Sequence, residues 1–408
     1  MKIAIIHDQL QEFGGAERVL VALKKIFPKA DIYTSFYNSE TLGVQQKHFQ
    51  DWKIITSWAD RLPLLKKIYS PLRFITPLIW ESFDFSQYDL VISSSGAYMS
   101  KGIITKPETL HISYLHHQPR YLYYYETAIE WQKYLPFKIY GNMINHDLRL
   151  WDFLSSQRVD YFIANSEETK KRIQKFYRRD ASVIYPPVNI PPRFVIPSTS
   201  TSLSVNSARN LATKRSVNKK NYAELDSSVA SLLRNDEKGY YLTVSRLART
   251  KHVEVLIRAA NKMKFNLKIV GNGRDEKYLR SIAGETVEFQ NDISDAALNL
   301  LYRNAKAFLF SAIDEEFGIA PVEALGQGLP VIAYASGGIK ETVINGVNGY
   351  LFKELNENSL SKKVNELTSL SKEKYLEMRK NARKEAEKYS FDNFKKQILE
   401  FINSIMSS

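Results

Sequence analysis

Along most of this chain, short runs of apolar and β-branched residues alternate with longer segments of helical period. This alternation is typical of α/β folds, in which helices cover both faces of a parallel sheet. It runs from the first residues to about residue 185 and starts again near residue 240. Since 408 residues exceed the usual size of one domain, the sequence predicts an α/β protein with two Rossmann-like, doubly wound domains.

The segment between the two alternating halves differs from them in composition. Pro197–Lys238 is rich in Ser, Asn, Thr and Lys and poor in bulky apolar residues, which favours a loop or a flexible insertion over a packed element. The predicted domains are therefore residues 1–190 and 239–385, joined by a linker over 191–238 that holds this low-complexity insertion. Residues 386–408 are predicted to form a C-terminal helix.

Charge and cysteine content narrow the class of partner. The chain has 57 Lys and Arg against 44 Asp and Glu, a formal net charge of +13, and no Cys. A basic balance indicates an anionic partner, such as nucleic acid, acidic lipid or a phosphorylated small molecule. The excess is spread along the chain, which argues against a nucleic-acid groove. The lack of cysteine and of long apolar runs favours a cytoplasmic protein without a transmembrane segment.

A glycine pair follows the first predicted strand, Lys2–His7. Gly14 and Gly15 let the backbone turn tightly and approach a ligand, and the N-terminus of the helix that follows attracts anions. The pattern is not the G-x-G-x-x-G fingerprint of dinucleotide sites. From these residues alone, an anion site and an ordinary βα turn both stay open.

Two cations follow the first predicted strand of the second half, Tyr240–Val244. In doubly wound sheets, ligands bind outside the carboxyl ends of the strands. There Arg246 and Lys251 could clamp a diphosphate, the guanidinium through paired hydrogen bonds and the ammonium as a point charge. A solvated, charged loop is the alternative.

Two glutamates, Glu315 and Glu323, stand eight residues apart after the predicted strand Ala307–Phe310. Between them, Pro321 is predicted to begin a helix, because proline suits the first helical position. The backbone N–H groups of Phe317–Ile319 would then lie free at the helix N-terminus. Two carboxylates can accept hydrogen bonds from the hydroxyls of sugars and ribose. The alternative is that Glu315 only stabilises the helix N-terminus by its charge and that Glu323 lies on the surface.

A histidine follows another predicted strand, Leu110–Leu115. At such a place His116 can donate a hydrogen bond or a proton to a reacting oxygen. His7 occupies the same kind of position after the first strand, and a structural hydrogen-bond network is the alternative for either. No Asp-x-Asp, Walker A, H-E-x-x-H or G-x-S-x-G pattern occurs, so kinases, metalloproteases and α/β-hydrolases are not indicated.

In this order, the motifs resemble glycosyltransferase family 4, the retaining sugar-nucleotide transferases of GT-B fold. Arg246 with Lys251 resembles the donor loop of that family, Gly271 its V-G-x-G turn, and Glu315 with Glu323 its E-x₇-E signature. Gly337-Gly338 with Glu341 resembles the segment that follows. In the first half, Gly14–Glu17 and His116–Arg120 resemble the mannosyltransferase-like branch that assembles bacterial surface polysaccharides.

The resemblance implies two domains facing a cleft, with the final helix packed back on the N-terminal domain. It implies that the donor is a nucleotide diphosphate sugar, best guessed as GDP-mannose, and that neither a cofactor nor a metal is needed. The implied catalytic residues are His116, Arg246, Lys251 and Glu315. The implied donor-binding residues are Gly14, Gly15, Arg246, Lys251, Gly271, Glu315, Phe317, Gly318, Ile319 and Glu323. Arg120 and Tyr121 are expected at the acceptor.

The acceptor is expected to be a glycan or a lipid-linked glycan. Arg61–Trp80 mixes Leu, Ile, Pro, Tyr and Trp with four cations, so it could lie on the anionic inner face of the cell membrane. An amphipathic core helix with snorkelling lysines is the alternative. Two other functions stay open: a sugar-nucleotide epimerase of GT-B type, and a module that binds anionic membrane or nucleic acid through its charge.

Overall fold

The computed structural model describes residues 1–127, 134–191, 239–291 and 293–407. The predicted low-complexity insertion at Pro197–Lys238, with nearly all of the predicted linker, lies outside the described residues.

Parallel strands of the first part of the chain form one sheet. The strands are β1 (Ile3–His7), β2 (Asp31–Thr34), β3 (Ile54–Thr56), β4 (Leu90–Ser95), β5 (Leu110–Leu115), β6 (Tyr161–Ala164) and β7 (Ser182–Val183). The helices are α1 (Gly15–Ile26), α2 (Ser39–Leu42), α3 (Pro63–Ile68), α4 (Thr76–Glu81), α5 (Leu135–Ser156) and α6 (Glu167–Tyr177). The strand order is β3-β2-β1-β4-β5-β6-β7.

The second part of the chain forms another parallel sheet. Its strands are β8 (Tyr241–Val244), β9 (Leu267–Val270), β10 (Val287–Gln290), β11 (Ala307–Phe310), β12 (Val331–Tyr334) and β13 (Gly349–Phe352). Its helices are α7 (Val253–Met263), α8 (Glu276–Ile282), α9 (Asp295–Asn304), α10 (Ile319–Gly326), α11 (Ile339–Thr342), α12 (Glu357–Thr368) and α13 (Lys372–Ala386), and α14 (Phe391–Met406) ends the described chain. The strand order is β10-β9-β8-β11-β12-β13.

The strands form where the sequence has unbroken apolar runs, because a parallel sheet is buried on both faces. Every residue of β11 is buried, and so is nearly all of β1. The helices carry an apolar face instead: Val19, Leu20 and Leu23 of α1 are buried, whereas Lys24 and Lys25 lie in its last turn. This pattern confirms the predicted α/β class with two doubly wound parallel sheets.

The last helix crosses from the second sheet to the first. Phe394, Ile398 and Ile402 of α14 are buried in the same cluster as Leu20 and Leu23 of α1. Each such buried side chain contributes about 1.5–3 kcal/mol through the hydrophobic effect. The C-terminal helix therefore stabilises the half of the molecule that begins the chain.

In both sheets the strand order reverses at one point, between β1 and β4 and between β8 and β11. The connections on the two sides of such a point leave a crevice beyond the carboxyl ends of the strands, and ligands of doubly wound folds bind there. The glycine loop follows β1, and the Arg246 loop follows β8. The fold thus places both loops at switch points.

One local prediction was wrong in detail. The helix that carries Glu323 begins at Ile319, not at Pro321, because Gly318 adopts a left-handed conformation that turns the chain two residues earlier. The segment 61–80 forms two short helices, α3 and α4, on either side of Pro71, as expected of a segment with internal prolines. Trp80 is fully buried, whereas Leu64 and Leu78 are exposed.

Candidate functional site

A cleft of about 720 Å³ lies between the carboxyl ends of the two sheets. The predicted site residues that line it are Gly14, Gly15, His116, Arg120, Arg246, Lys251, Gly271, Glu315, Phe317, Gly318, Ile319 and Glu323. Tyr121 is not among its lining residues: its hydroxyl donates to the Ala97 carbonyl at 3.3 Å, and the Arg73 guanidinium lies 3.8 Å from its ring centre. The fold therefore brings together motifs that are more than 300 residues apart at the extremes.

Two helix N-termini face each other in this cleft. Helix α1 begins at Gly15 and helix α10 at Ile319. A Cβ atom added to Gly15 would lie only 2.9 Å from Ile319 Cδ1, so the two helix ends are in contact. Helix N-termini offer free N–H groups and a partial positive charge. The arrangement can bind an anion from both sides.

The turn after β9 packs directly on the Arg246 loop. Gly271 has a φ of +132°, and a Cβ atom there would lie 2.1 Å from the Ser245 carbonyl oxygen. Ser245 N in turn donates to the Val270 carbonyl at 3.0 Å. Only glycine permits this approach, so the turn positions the loop of Arg246.

Each predicted cation already faces a carboxylate. Lys251 Nζ lies 2.5 Å from Glu315 Oε2, and Arg246 Nη2 lies 3.0 Å from Glu12 Oε1. The Arg246 guanidinium remains about half exposed to the cleft. A ligand anion that approaches Lys251 must therefore compete with Glu315.

Arg18 and Glu323 form an ion pair across the cleft, from α1 to α10. The negative charge of Glu323 raises the pKa of Arg18 above its usual value. The Tyr302 hydroxyl donates a further hydrogen bond to Glu323 Oε2 at 3.4 Å. The sequence reasoning missed Arg18, although it directly follows the glycine motif, and that adjacency is the one signal that points to it.

Glu316 is the second carboxylate that bridges the two halves. Arg120 Nη2 lies 2.8 Å from Glu316 Oε2, and Arg172 Nη1 lies 3.1 Å from Oε1. Burial alone would raise the pKa of Glu316, but the guanidinium groups of Arg120 and Arg172 lower it to about 2. Arg120, which was predicted to bind the acceptor, thus also links the two halves of the molecule. Its predicted role at the acceptor stays a prediction.

A third bridge is formed by Glu341, which follows the second glycine pair. Its carboxylate accepts hydrogen bonds from the backbone N–H groups of Glu167 and Glu168, both at 2.9 Å. It therefore caps the N-terminus of α6 from the other sheet. The Tyr185 hydroxyl also donates to it, at 3.1 Å. No sequence pattern marks this contact.

His116 is buried at the end of β5 and lines the cleft. Burial, with His7 and His117 nearby, holds the pKa of His116 well below its usual value, so the ring is neutral. Its Nε2 atom lies 2.7 Å from Ser94 Oγ. A neutral imidazole at this place can accept or donate a hydrogen bond, depending on its tautomer.

Two family profiles match this chain. The profile of the family described as "Glycosyltransferase Family 4" matches residues 13–190, and the profile described as "Glycosyl transferases group 1" matches residues 226–385. The glycosyltransferase MJ1607 of Methanocaldococcus jannaschii, described as uncharacterized, is 32% identical over 173 residues, or 40% of this chain and 44% of that protein.

A second relative is the GDP-Man:Man(3)GlcNAc(2)-PP-Dol alpha-1,2-mannosyltransferase of Dictyostelium discoideum. It is 31% identical over 153 residues, or 35% of this chain and 30% of that protein. The chain thus spans less than half the length of these curated relatives. Among solved structures, Anabaena Alr3699/HepE in complex with UDP and glucose has a TM-score of 0.67 at 19% identity, over 99% of this chain and 100% of that one. This likeness shows the fold.

Proposed function

This chain belongs to glycosyltransferase family 4 and has the GT-B fold, and we propose that it transfers a hexose from a nucleotide diphosphate sugar to a glycan or lipid-linked acceptor. The transfer retains the anomeric configuration and needs no metal ion. It serves the synthesis of a surface polysaccharide. The acceptor lies on the side of the cleft formed by the first sheet, near Arg120 and Tyr121.

The observation that carries this proposal is the convergence of positive charge at the two switch points. Arg246 and Lys251 line the same cleft as the N-termini of α1 and α10. A diphosphate at this place would meet two cations and two sets of free backbone N–H groups. As the bond to the sugar breaks, negative charge grows on the diphosphate, and these groups stabilise it.

The carboxylates would hold the uncharged parts of the donor. Glu315 is proposed to accept hydrogen bonds from hydroxyls of the donor sugar, and Glu323 from the ribose. Both are paired in the free protein, with Lys251 and with Arg18. Donor binding therefore exchanges ion pairs within the protein for contacts to the ligand, and the diphosphate takes the place of Glu315 beside Lys251.

The experiment that tests the reaction measures slow donor hydrolysis, or transfer to an acceptor, in the presence of EDTA. We expect activity to persist in EDTA and to fall about 100-fold or more in Arg246→Ala and Glu315→Ala. Arg280→Ala is the matched control, because Arg280 is an exposed cation on helix α8 of the same half of the chain and pairs with Glu276.

Two outcomes would overturn the proposal. Activity that is lost on chelation and returns only with a divalent metal would contradict the mechanism. A rearranged nucleotide sugar without an acceptor product would identify an epimerase instead.

We propose mannose as the hexose and GDP as the carrier. The support is the relative in Dictyostelium discoideum, whose name specifies GDP-Man. The Anabaena structure holds UDP and glucose, so UDP-glucose is the donor to compare with GDP-mannose. A thermal-shift panel of GDP-, UDP- and ADP-sugars separates them, since a ligand that binds the folded protein raises its stability by RT ln(1 + [L]/Kd).

We also propose that the protein contacts an anionic membrane surface near the acceptor side. In the described part of the chain, no helix is long and apolar enough to cross a bilayer. Helix α5, however, is partly inverted: its buried face carries Asn145, Asp152 and Ser155 as well as Leu148. On the opposite face, the exposed apolar side chains are Ile139, Met143, Leu150, Phe153 and Leu154.

A buried ion pair explains the inverted helix. Lys101 Nζ lies 2.7 Å from Asp152 Oδ1, and both side chains are fully buried. Lys101 also donates to Ser155 Oγ at 3.0 Å. The polar face of α5 is therefore needed inside, and its apolar face is left outside.

The apolar face of α5 adjoins the segment 61–80 that the sequence analysis singled out. The Tyr140 hydroxyl donates to the Pro71 carbonyl at 2.7 Å. In that segment Leu64, Phe74 and Leu78 are exposed, and it carries four cations and no anion. A second copy of the chain would bring the same positive charge, whereas an anionic lipid surface offers the opposite charge and an apolar interior.

A further inference from the structure

Four buried side chains connect the glycine loop to the cleft. Glu17 Oε1 lies 3.3 Å from His7 Nε2, His7 Nδ1 lies 3.0 Å from Ser94 Oγ, and Ser94 Oγ lies 2.7 Å from His116 Nε2. At the other end, the Gly14 N–H donates to Glu17 Oε2 at 2.7 Å. All four side chains are buried. Each hydrogen bond in this chain therefore restricts the next one.

The protonation state of Glu17 determines which atom donates in each hydrogen bond from Glu17 to His116. Burial would raise the pKa of Glu17, but the hydrogen bonds from His7 and Gly14 hold it below its usual value, so the carboxylate is ionised. It accepts at both oxygens, and His7 Nε2 must carry a proton. In the neutral form of His7 that proton is the only one on the ring, which leaves Nδ1 bare.

Ser94 passes this direction on to the cleft. Its hydroxyl has a single proton, which it donates to the bare Nδ1 of His7. Its oxygen must then accept from His116, so the proton of His116 lies on Nε2. The other ring nitrogen of His116, Nδ1, has no hydrogen-bond partner among the described residues, and His116 lines the cleft.

We propose that Glu17, His7 and Ser94 are positioning residues that hold His116 in the tautomer with a bare Nδ1. His116 then presents a hydrogen-bond acceptor to the sugar in the cleft. It favours a hexose with a hydroxyl at this place over a uronate or an N-acetyl sugar that would present a carbonyl or carboxylate oxygen there. The inference rests on the proposed role of His116 in holding the transferred sugar.

A single isosteric substitution tests the direction of the chain. In Glu17→Gln, the amide oxygen must face the Gly14 N–H, because that group can only donate. The amide NH₂ then faces His7 Nε2 and requires it to be bare. The proton of His7 moves to Nδ1, Ser94 donates to His116 Nε2, and the proton of His116 moves to Nδ1. One substitution therefore reverses every bond in the chain.

The measurement is the ¹⁵N chemical shift of the ring nitrogens at pH 8, in full-length protein labelled at histidine only. The chain has seven His, and His116→Gln identifies the signals of His116 by their loss. We expect the Nε2–H tautomer of His116 in the wild type and the Nδ1–H tautomer in Glu17→Gln. Glu12→Gln, in the same loop but outside the chain of hydrogen bonds, is expected to leave the tautomer unchanged.

Either of two results would overturn the inference: an Nδ1–H tautomer of His116 in the wild type, or the same tautomer in the wild type and Glu17→Gln. Ser94→Ala provides a second test that does not depend on residue 17 alone. In the Ser94→Ala background, Glu17→Gln should no longer change the His116 signals, because the link between the two histidines is gone. If Glu17→Gln still changed the His116 signals in the Ser94→Ala background, the proposed series of hydrogen bonds would also be contradicted.

Activity gives a separate readout. In Glu17→Gln the Nδ1–H of His116 would donate a hydrogen bond, which a hydroxyl, a carbonyl or a carboxylate oxygen can accept, so we expect the preference in kcat/KM for a hexose donor over a uronate donor to fall about 10-fold or more. If the shifts behave as expected while no nucleotide sugar is consumed by any variant, the proposed function fails and the tautomer assignment stands. If transfer occurs and the shifts do not change, only the positioning role fails.

Discussion

Arg120 donates two hydrogen bonds to Glu316 across the cleft, from Nε to Oε1 at 3.0 Å and from Nη2 to Oε2 at 2.8 Å. One residue follows β5 of the first sheet, and the other follows β11 of the second. Arg172 of α6 donates to the same carboxylate. A buried carboxylate with two guanidinium partners therefore links the two halves of the molecule.

Replacing the shared carboxylate should destabilise the protein. In Glu316→Gln, the largely buried Arg120 loses its carboxylate partner and Arg172 keeps only Glu168, which costs about 3–5 kcal/mol of the free energy of unfolding. Thermal melting at pH 7 measures the loss. Glu288→Gln is the control, because Glu288 is about half exposed and lies 3.9 Å from its lysine partner. Equal melting temperatures for the two variants would contradict this assignment.

The same ion pair predicts a pH dependence. Because the pKa of Glu316 is lowered from 4.5 to about 2, its carboxylate stabilises the folded state above pH 4.5. This stabilisation is lost as the pH falls from 4.5 toward 2. The difference in melting temperature between the wild type and Glu316→Gln should therefore shrink from pH 5 to pH 3. A difference in melting temperature that stays constant over that range would contradict the lowered pKa of Glu316.

The cap on α6 should be measurable separately. Glu341→Ala leaves two N–H groups of the first turn without an acceptor, and we expect a cost of about 1–2 kcal/mol. Glu373→Ala removes an exposed glutamate from the first turn of α13 and should change stability less. Chemical unfolding of both variants tests the comparison, and a loss no greater in Glu341→Ala would refute the cap.

The second glycine pair predicts a steric effect at the donor site. A Cβ atom on Gly338 would lie 1.9 Å from the Glu316 carbonyl oxygen, although the backbone conformation of Gly338 is ordinary. Gly338→Ala should displace the loop of Glu315, cost about 1–3 kcal/mol and lower donor turnover.

Gly326→Ala is the matched control for that substitution. Gly326 is the last residue of α10, and a Cβ atom added there would lie 3.6 Å from its nearest neighbour, Ile190 Cγ1. There alanine should be neutral or stabilise the helix by about 0.5–1 kcal/mol. If Gly338→Ala turned over the donor as fast as Gly326→Ala, the packing argument would be wrong.

The inverted helix predicts binding to anionic vesicles. Vesicles of phosphatidylglycerol with phosphatidylcholine should bind the protein, and pure phosphatidylcholine should bind it much less. The double variant Met143→Glu/Leu150→Glu should bind at least about 10-fold more weakly than the wild type, since each apolar side chain contributes about 1.5–3 kcal/mol on burial.

Tyr278→Glu/Leu376→Glu is the control for the vesicle experiment, because both residues are exposed on the second sheet's helices. It should bind like the wild type. Equal binding by both double variants would exclude α5. A dimer in solution that Met143→Glu/Leu150→Glu dissociates would assign the face to a second copy of the chain.

Much of the fold followed from local pattern. The strand Ala307–Phe310 was predicted with its observed bounds, because four consecutive buried apolar residues are themselves the signal for a parallel strand. Strand β13 was missed, since Gly349 and Tyr350 followed by only two aliphatic or aromatic residues, Leu351 and Phe352, carry little of that pattern. Helix α5 was missed because Asp152 and Ser155 lie on its buried face and several apolar residues lie on its exposed face, which obscures the usual amphipathic pattern.

By itself, the sequence determined the two parallel sheets and the residues at the carboxyl ends of their strands, because periodicity and turn chemistry act over a few residues. It could not determine what those residues touch. Arg18 and Glu323 are 305 positions apart in the chain, and Ser94 meets His7 and His116 only because β4 lies beside both β1 and β5. Hydrogen bonds and ion pairs form over about 3 Å, and distances of that order between remote residues are decided by how the sheets pack.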